Sequence, residues 1–483
     1  MRGQDRMPIR LTLSVVIMTV ILAGCAIGPD YRRPNIDLPA SYLPTPEEDA
    51  ADTGQGAVMP QWWTLYGDTA LNNLVNLTLK NNADLHQAIA QIDVAEAVLA
   101  ETGAHLLPEI DLDASNTKSR SSSLAAQPLP PGTPLITRNS RITFSTAFEL
   151  DLWGKLRRAS QSARAQVLSS RYARDVAALT LAGTTARTYF TLRALDTQID
   201  VTRKTLESRD ESLAVVKHRA EGGLASDLDI YQAQGVRADA ALQLSELQRQ
   251  RALVEHQLGS LTGTPGLKVE AGDVMSLPLP PLPAAGLPAN LLERRPDVQQ
   301  AEQDLIAANA NIGVAKADLL PSFSLTGSYG GLSAASKNLY EDAARIWSVG
   351  PSVHLPIFDA GKYRARTRQA EARQRLSAAI YQKTVETAFR EVADALTNLQ
   401  LTKLAVSDTL TKVDAARKAL KLSRLRYQSG YAAYLDVLDA QRTANLAELA
   451  LVQNRQALLS YSIDLMKALG GGWSATKVTE TKR

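Results

Sequence analysis

One cysteine, Cys25, stands in 483 residues, so no internal disulfide can staple the fold and packing alone must hold it. Aromatic residues make up only 5%; Ala, Leu, Gln and Arg dominate instead, a composition suited to long helices packed closely through small residues. Neither sign of charge prevails. The formal net charge is +3, and without residues 1–24, which carry Arg2, Asp5, Arg6 and Arg10, it falls to about +1, so no basic excess is there to hold nucleic acid. The five histidines, His86, His105, His218, His256 and His354, are scattered without metal-ligand spacing, and neither a phosphate loop nor a nucleophile elbow is present. No enzyme activity, metal site or diffusible cofactor is expected. Proline is missing from residues 155–221 and again from 362–428, which leaves nothing to break a helix there. At about 1.5 Å per residue each such helix would be roughly 100 Å long.

What is present begins with a targeting pattern. Arg2, Arg6 and Arg10 precede an apolar run, Leu11 to Leu22, shorter than the roughly 20 residues that a membrane-spanning helix needs. The run ends in Leu22-Ala23-Gly24-Cys25, which resembles a bacterial lipobox, whose cysteine is acylated and becomes the first residue. A plain signal peptide with an incidental cysteine is the alternative, but a lone cysteine in an exported chain is best explained by lipid attachment. Residues 1–24 are therefore expected to be a lipoprotein signal peptide and Cys25 the lipidation site. Ala26 follows rather than Asp, which by resemblance to other lipoproteins favours release to the outer membrane.

The chain also repeats itself. Gly223 and Gly430, Leu228 and Leu435, Asp229 and Asp436, Ala233 and Ala440, and Gln234 and Gln441 all lie 207 positions apart, as do Gly154-Lys155 and Gly361-Lys362. Farther upstream the offset is 213, linking Asp84, Ala88 and Leu107-Pro108 to Asp297, Ala301 and Leu320-Pro321. A loop between Pro108 and Gly154 must be longer in the first copy. A period near 200 is too long for a solenoid unit and reads as two similar halves building one body. The expected division is an extended N-terminal arm (25–65), a first repeat (66–276), a stiff proline-rich connector (277–295), a second repeat (296–470) and a C-terminal tail (471–483). The first repeat holds a helix (83–104), a β-hairpin (about 108–150) and a long helical hairpin (155–262). Its counterpart holds 297–318, about 321–357 and 362–469. Apolar or small residues recur along the long helices at steps of three and four, a coiled-coil-like seam.

In the first hairpin Ile142, Phe144, Thr146, Phe148 and Leu150 alternate with Arg141, Thr143, Ser145, Ala147 and Glu149, the weak signature of a membrane-crossing strand. One such hairpin alone would sooner be a half-buried sheet of a soluble domain. The duplication supplies a second, with Phe323, Leu325, Trp347, Val349 and Val353. Four strands cannot close a barrel in lipid, where open edges are not tolerated; three chains would supply twelve, an even number within the range of outer-membrane barrels. The helices, too polar for hydrocarbon, should project as a tube with the glycine turns at its far end.

At this point the chain resembles the TolC-like outer-membrane efflux proteins, and among them the OprM-type lipoproteins that serve resistance-nodulation-division pumps. The resemblance covers essentially the whole mature chain and rests most on Leu22 to Cys25 followed by Gly28-Pro29-Asp30-Tyr31, on Leu287 to Asp297, on Leu435 to Arg442, and on Lys467 to Trp473. It implies an α+β membrane protein, a homotrimer whose chains each add four strands to a 12-stranded outer-membrane β-barrel and long helices to a periplasmic α-barrel. It implies a passive exit duct of a tripartite system for drugs or other small molecules. The implied partners are a periplasmic adaptor, an inner-membrane pump of the resistance-nodulation-division type, and outer-membrane lipid.

Leu435, Asp439 and Arg442 fall on one helix face after the second turn. In a threefold tube that face would set three leucines and a ring of carboxylates across the narrow end. By resemblance Leu435 and Asp439 match the OprM-type constriction, Asp436 with Asp439 the double acidic ring of TolC, and Tyr427 and Asp229 positions in the network that holds the tip shut. The basic partner expected after the turn is missing, because Ala432 stands there; Arg442 is the substitute at hand. Without the resemblance these charges would read as solvated turn residues. Gly222, Gly223 and Gly430 permit backbone angles closed to other residues, and the tips, with Leu224 and Tyr431, are candidate adaptor contacts. Two other functions stay open: a type I secretion channel for proteins, and a periplasmic adaptor or structural coiled-coil lipoprotein. An adaptor would carry one helical hairpin between β-rich modules, whereas here hairpin and strands occur twice.

Overall fold

In a computed structural model, described over residues 26–37, 39, 41–42, 60–122, 124, 130, 132–282 and 291–472, a short 3-10 turn at Trp62–Tyr66 leads into helices α1 (Thr69–Asn81) and α2 (Ala83–Ala104). Strands β1 (Glu109–Arg120) and β2 (Ile136–Leu150) follow, then α3 (Lys155–Glu221) and α4 (Asp227–Leu261). The second half runs through α5 (Pro296–Ala317), β3 (Ser322–Ser333), β4 (Arg345–His354), α6 (Lys362–Gln428) and α7 (Tyr434–Ala468). The signal peptide, Cys25 and Trp473 lie outside the described residues.

Helices α3 and α6 have 67 residues each and coincide with the two proline-free stretches. Both start on a carboxylate that accepts from backbone N–H groups of the first turn, which have no partner inside the helix. Asp151 accepts from Leu156 and Arg157 at 3.0 Å, and Asp359 accepts from Gly361 at 2.9 Å and Tyr363 at 2.8 Å. Ser226 caps α4, so the helix proper begins at Asp227.

The chain divides into two compact units. The first comprises the residues up to Asn35, Ile92–Ser170 and Ala301–Tyr381, and it carries the sheet. All four strands are antiparallel neighbours in the order β1-β2-β3-β4, so each repeat contributes one hairpin and β2 pairs with β3 across the repeats. The registers place Leu112, Phe144, Tyr329 and Trp347 in one row across the sheet, with Ile110, Thr146, Gly327 and Val349 in the next row on that face. The large side chains of the first row are all exposed, Trp347 at 71%. The opposite face is polar: Ser328 and Ser348 share a hydrogen bond of 2.8 Å, Ser324 and Ser352 one of 2.7 Å, and Ser145 donates to Asp113 at 3.1 Å. Both hairpin strands run past the alternating stretch, because β1 and β2 keep pairing through polar residues up to Arg120 and Ile136.

The arm is anchored in this unit. Ile27 N–H donates to the Trp153 carbonyl at 2.9 Å, Arg158 to Asp30 at 2.7 Å, and Asn309 to the Pro29 carbonyl at 2.8 Å. Buried Glu302 accepts from both nitrogens of an Arg33 fork, at 2.7 and 2.6 Å, and from the Tyr31 hydroxyl at 2.9 Å. Gly28 crosses so close to Gly313 that a Cβ on it would lie 2.6 Å from the Gly313 Cα.

The second unit comprises Ile36–Gln91, Arg171–Gln300 and Gln382 onward. Trp62 and Tyr66 are fully buried in it with Leu71, Phe190, Leu459, Ile463 and Leu465, so the end of the expected arm is part of a core. The Tyr66 hydroxyl meets Ser462 Oγ at 2.6 Å. Asp196 and Glu255, both buried, flank Arg251 at 2.6 and 3.2 Å, and these charges are held by mutual pairing as burial requires.

Candidate functional site at the paired helical turns

The turns that end α3 and α6 have the same backbone. Leu224 N–H donates to the Arg219 carbonyl at 2.7 Å and Gly223 N–H to Ala220 at 2.9 Å; Tyr431 N–H donates to Arg426 at 2.8 Å and Gly430 N–H to Tyr427 at 3.0 Å. Gly223 and Gly430 sit at φ 72° and 80°, the left-handed helix stop in which a Cβ is penalised. Gly222 is not among the positive-φ glycines, so the backbone argument holds for two of the three tip glycines. Leu224 and Tyr431 follow the glycines at equivalent positions and are 71% and 78% exposed.

Beyond the turns the copies diverge. Ser226 and Asp229 form a capping box at the start of α4: the Asp229 carboxylate accepts from Ser226 N–H and from its hydroxyl, both at 3.0 Å. The matching residue before α7 is Ala433, which makes no side-chain cap.

Between the turns lies a small core of Val216, Ala233, Tyr427, Tyr434 and Val437. It is built from both repeats. The Tyr427 and Tyr434 rings are 5.3 Å apart at 51°, an ordinary tilted aromatic contact. Burial raises the Tyr427 hydroxyl above the usual tyrosine range, Arg219 acts against the rise and Asp229 adds to it. Burial first, and Tyr427 next, push Tyr434 up to about 12. Arg219 reaches from α3 to α6: its guanidinium carbon sits 4.7 Å from the Tyr427 ring centroid, and Nη1 donates to the carbonyls of Tyr427 at 3.2 Å and Gln428 at 3.3 Å. One turn deeper, buried Gln441 donates to Ser212 Oγ at 3.0 Å, and Thr205 donates to Asn445 at 3.0 Å.

On α7 the residues Tyr434, Val437, Gln441 and Ala444 face this interior, and Leu435, Asp436, Asp439 and Arg442 are exposed, Leu435 at 61%. Arg442 donates to Asp439 Oδ1 at 2.6 Å within the helix. Of the six expected gate residues, Leu435, Asp436, Asp439 and Arg442 are thus exposed on α7, whereas Tyr427 is buried in the small core and Asp229 lies on α4. Arg442 is spent on its own helix neighbour and Asp229 on a cap, and the cation that reaches Tyr427 is Arg219, which sequence reasoning missed. A base in the last turn of a helix, just before a glycine stop, was the available signal. Among the described residues no group of His, Cys, Asp and Glu could hold a metal ion, and no helix is long and apolar enough to cross a membrane.

A duplicated chain that joins a two-faced sheet to long helical hairpins, paired at their turns, has the architecture of an outer-membrane efflux channel. The profile of the outer membrane efflux protein family matches residues 74–264 and again 287–471, once per repeat, and the chain belongs to that family. It is 34% identical over 478 residues to the probable efflux pump outer membrane protein TtgC of Pseudomonas putida, covering 95% of each chain. To the outer membrane protein OprJ of Pseudomonas aeruginosa it is 33% identical over 488 residues, covering 95% of this chain and 96% of that one. The solved outer-membrane channel OprN superposes with a TM-score of 0.84 at 30% identity, over 93% of this chain and 100% of the other. The protein is an outer-membrane efflux channel with a large periplasmic helical portion.

Proposed function

We propose that three copies join their sheets edge to edge into one twelve-stranded barrel, and that the duct so formed passively releases drugs or other small molecules. An inner-membrane pump of the resistance-nodulation-division type delivers them, through a periplasmic adaptor that docks on the turns at Gly222–Leu224 and Gly430–Tyr431. The carrying observation is the sheet. Its edge strands β1 and β4 have no partner strand among the described residues, one face is apolar and exposed across all four strands, and the other is a ladder of serines and carboxylates. In lipid such edges must be satisfied, and the alternation of the faces is that of a barrel with an aqueous interior.

In this assembly the exposed face of α7 projects inward at the far end. Leu435 supplies an apolar constriction, and Asp436 with Asp439 supplies carboxylate rings that favour cations. The lipid on Cys25 adds a second hold on the membrane through the arm at Ile27–Arg33. The purified protein is expected to insert into planar bilayers and conduct in discrete steps. A protein that partitions into bilayers yet never conducts would overturn the duct. Labelled palmitate is expected to enter the wild type and to be absent from Cys25→Ser; a wild type that takes up none would remove the lipid anchor.

A further inference from the structure

The apolar face of the sheet ends in cations. From the row of Leu112, Phe144, Tyr329 and Trp347, away from the strand ends that join the helices, the same face continues through Ala114 and Ile142, then Asn116 and Ser140, then Lys118 and Arg138, and last Arg120 opposite Ile136. The Ser119 and Thr137 hydroxyls meet at 2.9 Å on the opposite face, which fixes the alternation at this end.

Lys118 and Arg138 are direct cross-strand partners, so their Cβ atoms are about 5 Å apart, and both are exposed. Like charges so placed repel and weaken the hairpin unless an anion lies against both. No ion pair among the described residues involves Lys118, Arg120 or Arg138, whereas Arg345, the base on this face in β4, is held by Asp342. The acids of the sheet are elsewhere: Glu109, Asp111, Asp113 and Glu149 all lie on the polar face, toward the helical end. Carboxylates are thus sorted by face and by end; on the polar face the base Arg141 donates to Thr143 Oγ1 at 3.0 Å, and on the apolar face the cations without an ion pair, Lys118, Arg120 and Arg138, gather at its far end.

The geometry points to a binding site for the phosphate groups of an outer-leaflet lipid, formed by Lys118, Arg120 and Arg138. The occupant follows from three facts. The face is continuous with the band that lipid covers; its charge is complementary to phosphate; and, with the helices in the periplasm, this end of the strands reaches the outer leaflet. The apolar row of Leu112, Phe144, Tyr329 and Trp347 takes the acyl chains while the three cations hold the headgroup. This inference rests on the proposed barrel, whose apolar face meets lipid.

The test titrates the full-length protein in detergent with fluorescent diphosphoryl lipid A, with dephosphorylated lipid A, and with inorganic phosphate as competitor. The wild type is expected to prefer the diphosphoryl form at least tenfold, with affinity falling as salt rises. K118Q/R120Q/R138Q is expected to lose roughly a hundredfold, at about fivefold for each cation near an anionic headgroup. Equal binding of phosphorylated and dephosphorylated lipid by the wild type would overturn the site, and so would equal binding by the triple variant. Inorganic phosphate that competes as tightly as the lipid would reduce it to a plain anion site and overturn the lipid assignment. Conductance in bilayers of neutral phospholipid reads the barrel separately: a wild type that conducts but lacks the phosphate preference sinks only this site, and one that never conducts sinks the barrel.

Discussion

Arg219, in the last turn of α3, stacks on the ring of Tyr427, in the last turn of α6, with its guanidinium carbon 4.7 Å from the ring centroid. The same side chain donates to the Tyr427 and Gln428 carbonyls at the helix end, the first of which also accepts from Gly430 N–H in the turn. A cation from one repeat thereby closes the negative end of the helix of the other.

Replacing Arg219 with Ala should cost about 1–2 kcal/mol locally, from the lost stacking and two charge-assisted hydrogen bonds. Hydrogen exchange at residues 424–431 should quicken and channel conductance should rise. Arg219→Lys keeps the charge without the planar fork and should restore only part of the protection. Unchanged exchange in Arg219→Ala would remove Arg219 from the tip's closure.

The tip glycines should separate by backbone angle. Gly430→Ala and Gly223→Ala place a Cβ at φ 80° and 72° and should each cost about 1 kcal/mol. Gly222→Ala meets only the carbonyl oxygens of Arg219 and His218, at 3.7 and 3.8 Å, and should be close to neutral. Thermal melts of the three variants check this, and an equal loss in all three would contradict it.

The tyrosine pair sets an alkaline limit. Tyrosine in an unfolded chain titrates near 10, and the Tyr434 hydroxyl is pushed up to about 12 by burial first and by Tyr427 next. Folding therefore favours the neutral phenol: this contribution is complete below about pH 10 and is lost as pH rises toward 12. Protection at the tip, taken relative to the base-catalysed intrinsic exchange rate, should be flat from neutral pH to about 10 and then fall, with a later fall in Tyr434→Phe. Loosening that begins below pH 9 would contradict this account.

The double variant Asp436→Ala with Asp439→Ala should fold normally, because these residues are exposed and the Asp439–Arg442 pair contributes little where water screens it. It also leaves Arg442 without its partner at the proposed constriction. Single-channel conductance should rise or cation preference fall. Currents identical to wild type would count against the acidic gate.

Much of the fold was legible because long-range facts were written as local ones. Absence of proline marked α3 and α6, the 207-residue spacing paired Gly223 with Gly430, and alternation from Arg141 to Leu150 marked a strand. Strand ends were not legible: beyond Ile142 the alternation breaks at Ser140 and Arg138, and the pairing of Lys118 with Arg138 continues to Arg120 and Ile136 with only that one apolar residue to mark it. In the candidate site, the shared face of Leu435, Asp439 and Arg442 followed from helical spacing alone. The closure around Tyr427 did not, because Arg219 is held by backbone carbonyls, which every residue carries and no sequence distinguishes. Asp229 looked like a lock residue, yet Ser226 three positions earlier completes a capping box with it, a pairing the sequence contains.

The central claim is that the open edges of β1 and β4 are closed by further copies of the same chain. Native mass spectrometry of the protein extracted from outer membranes tests it most directly. The expected signal is a single species of three chains. A species of one chain, stable across detergents and protein concentrations, would contradict the account.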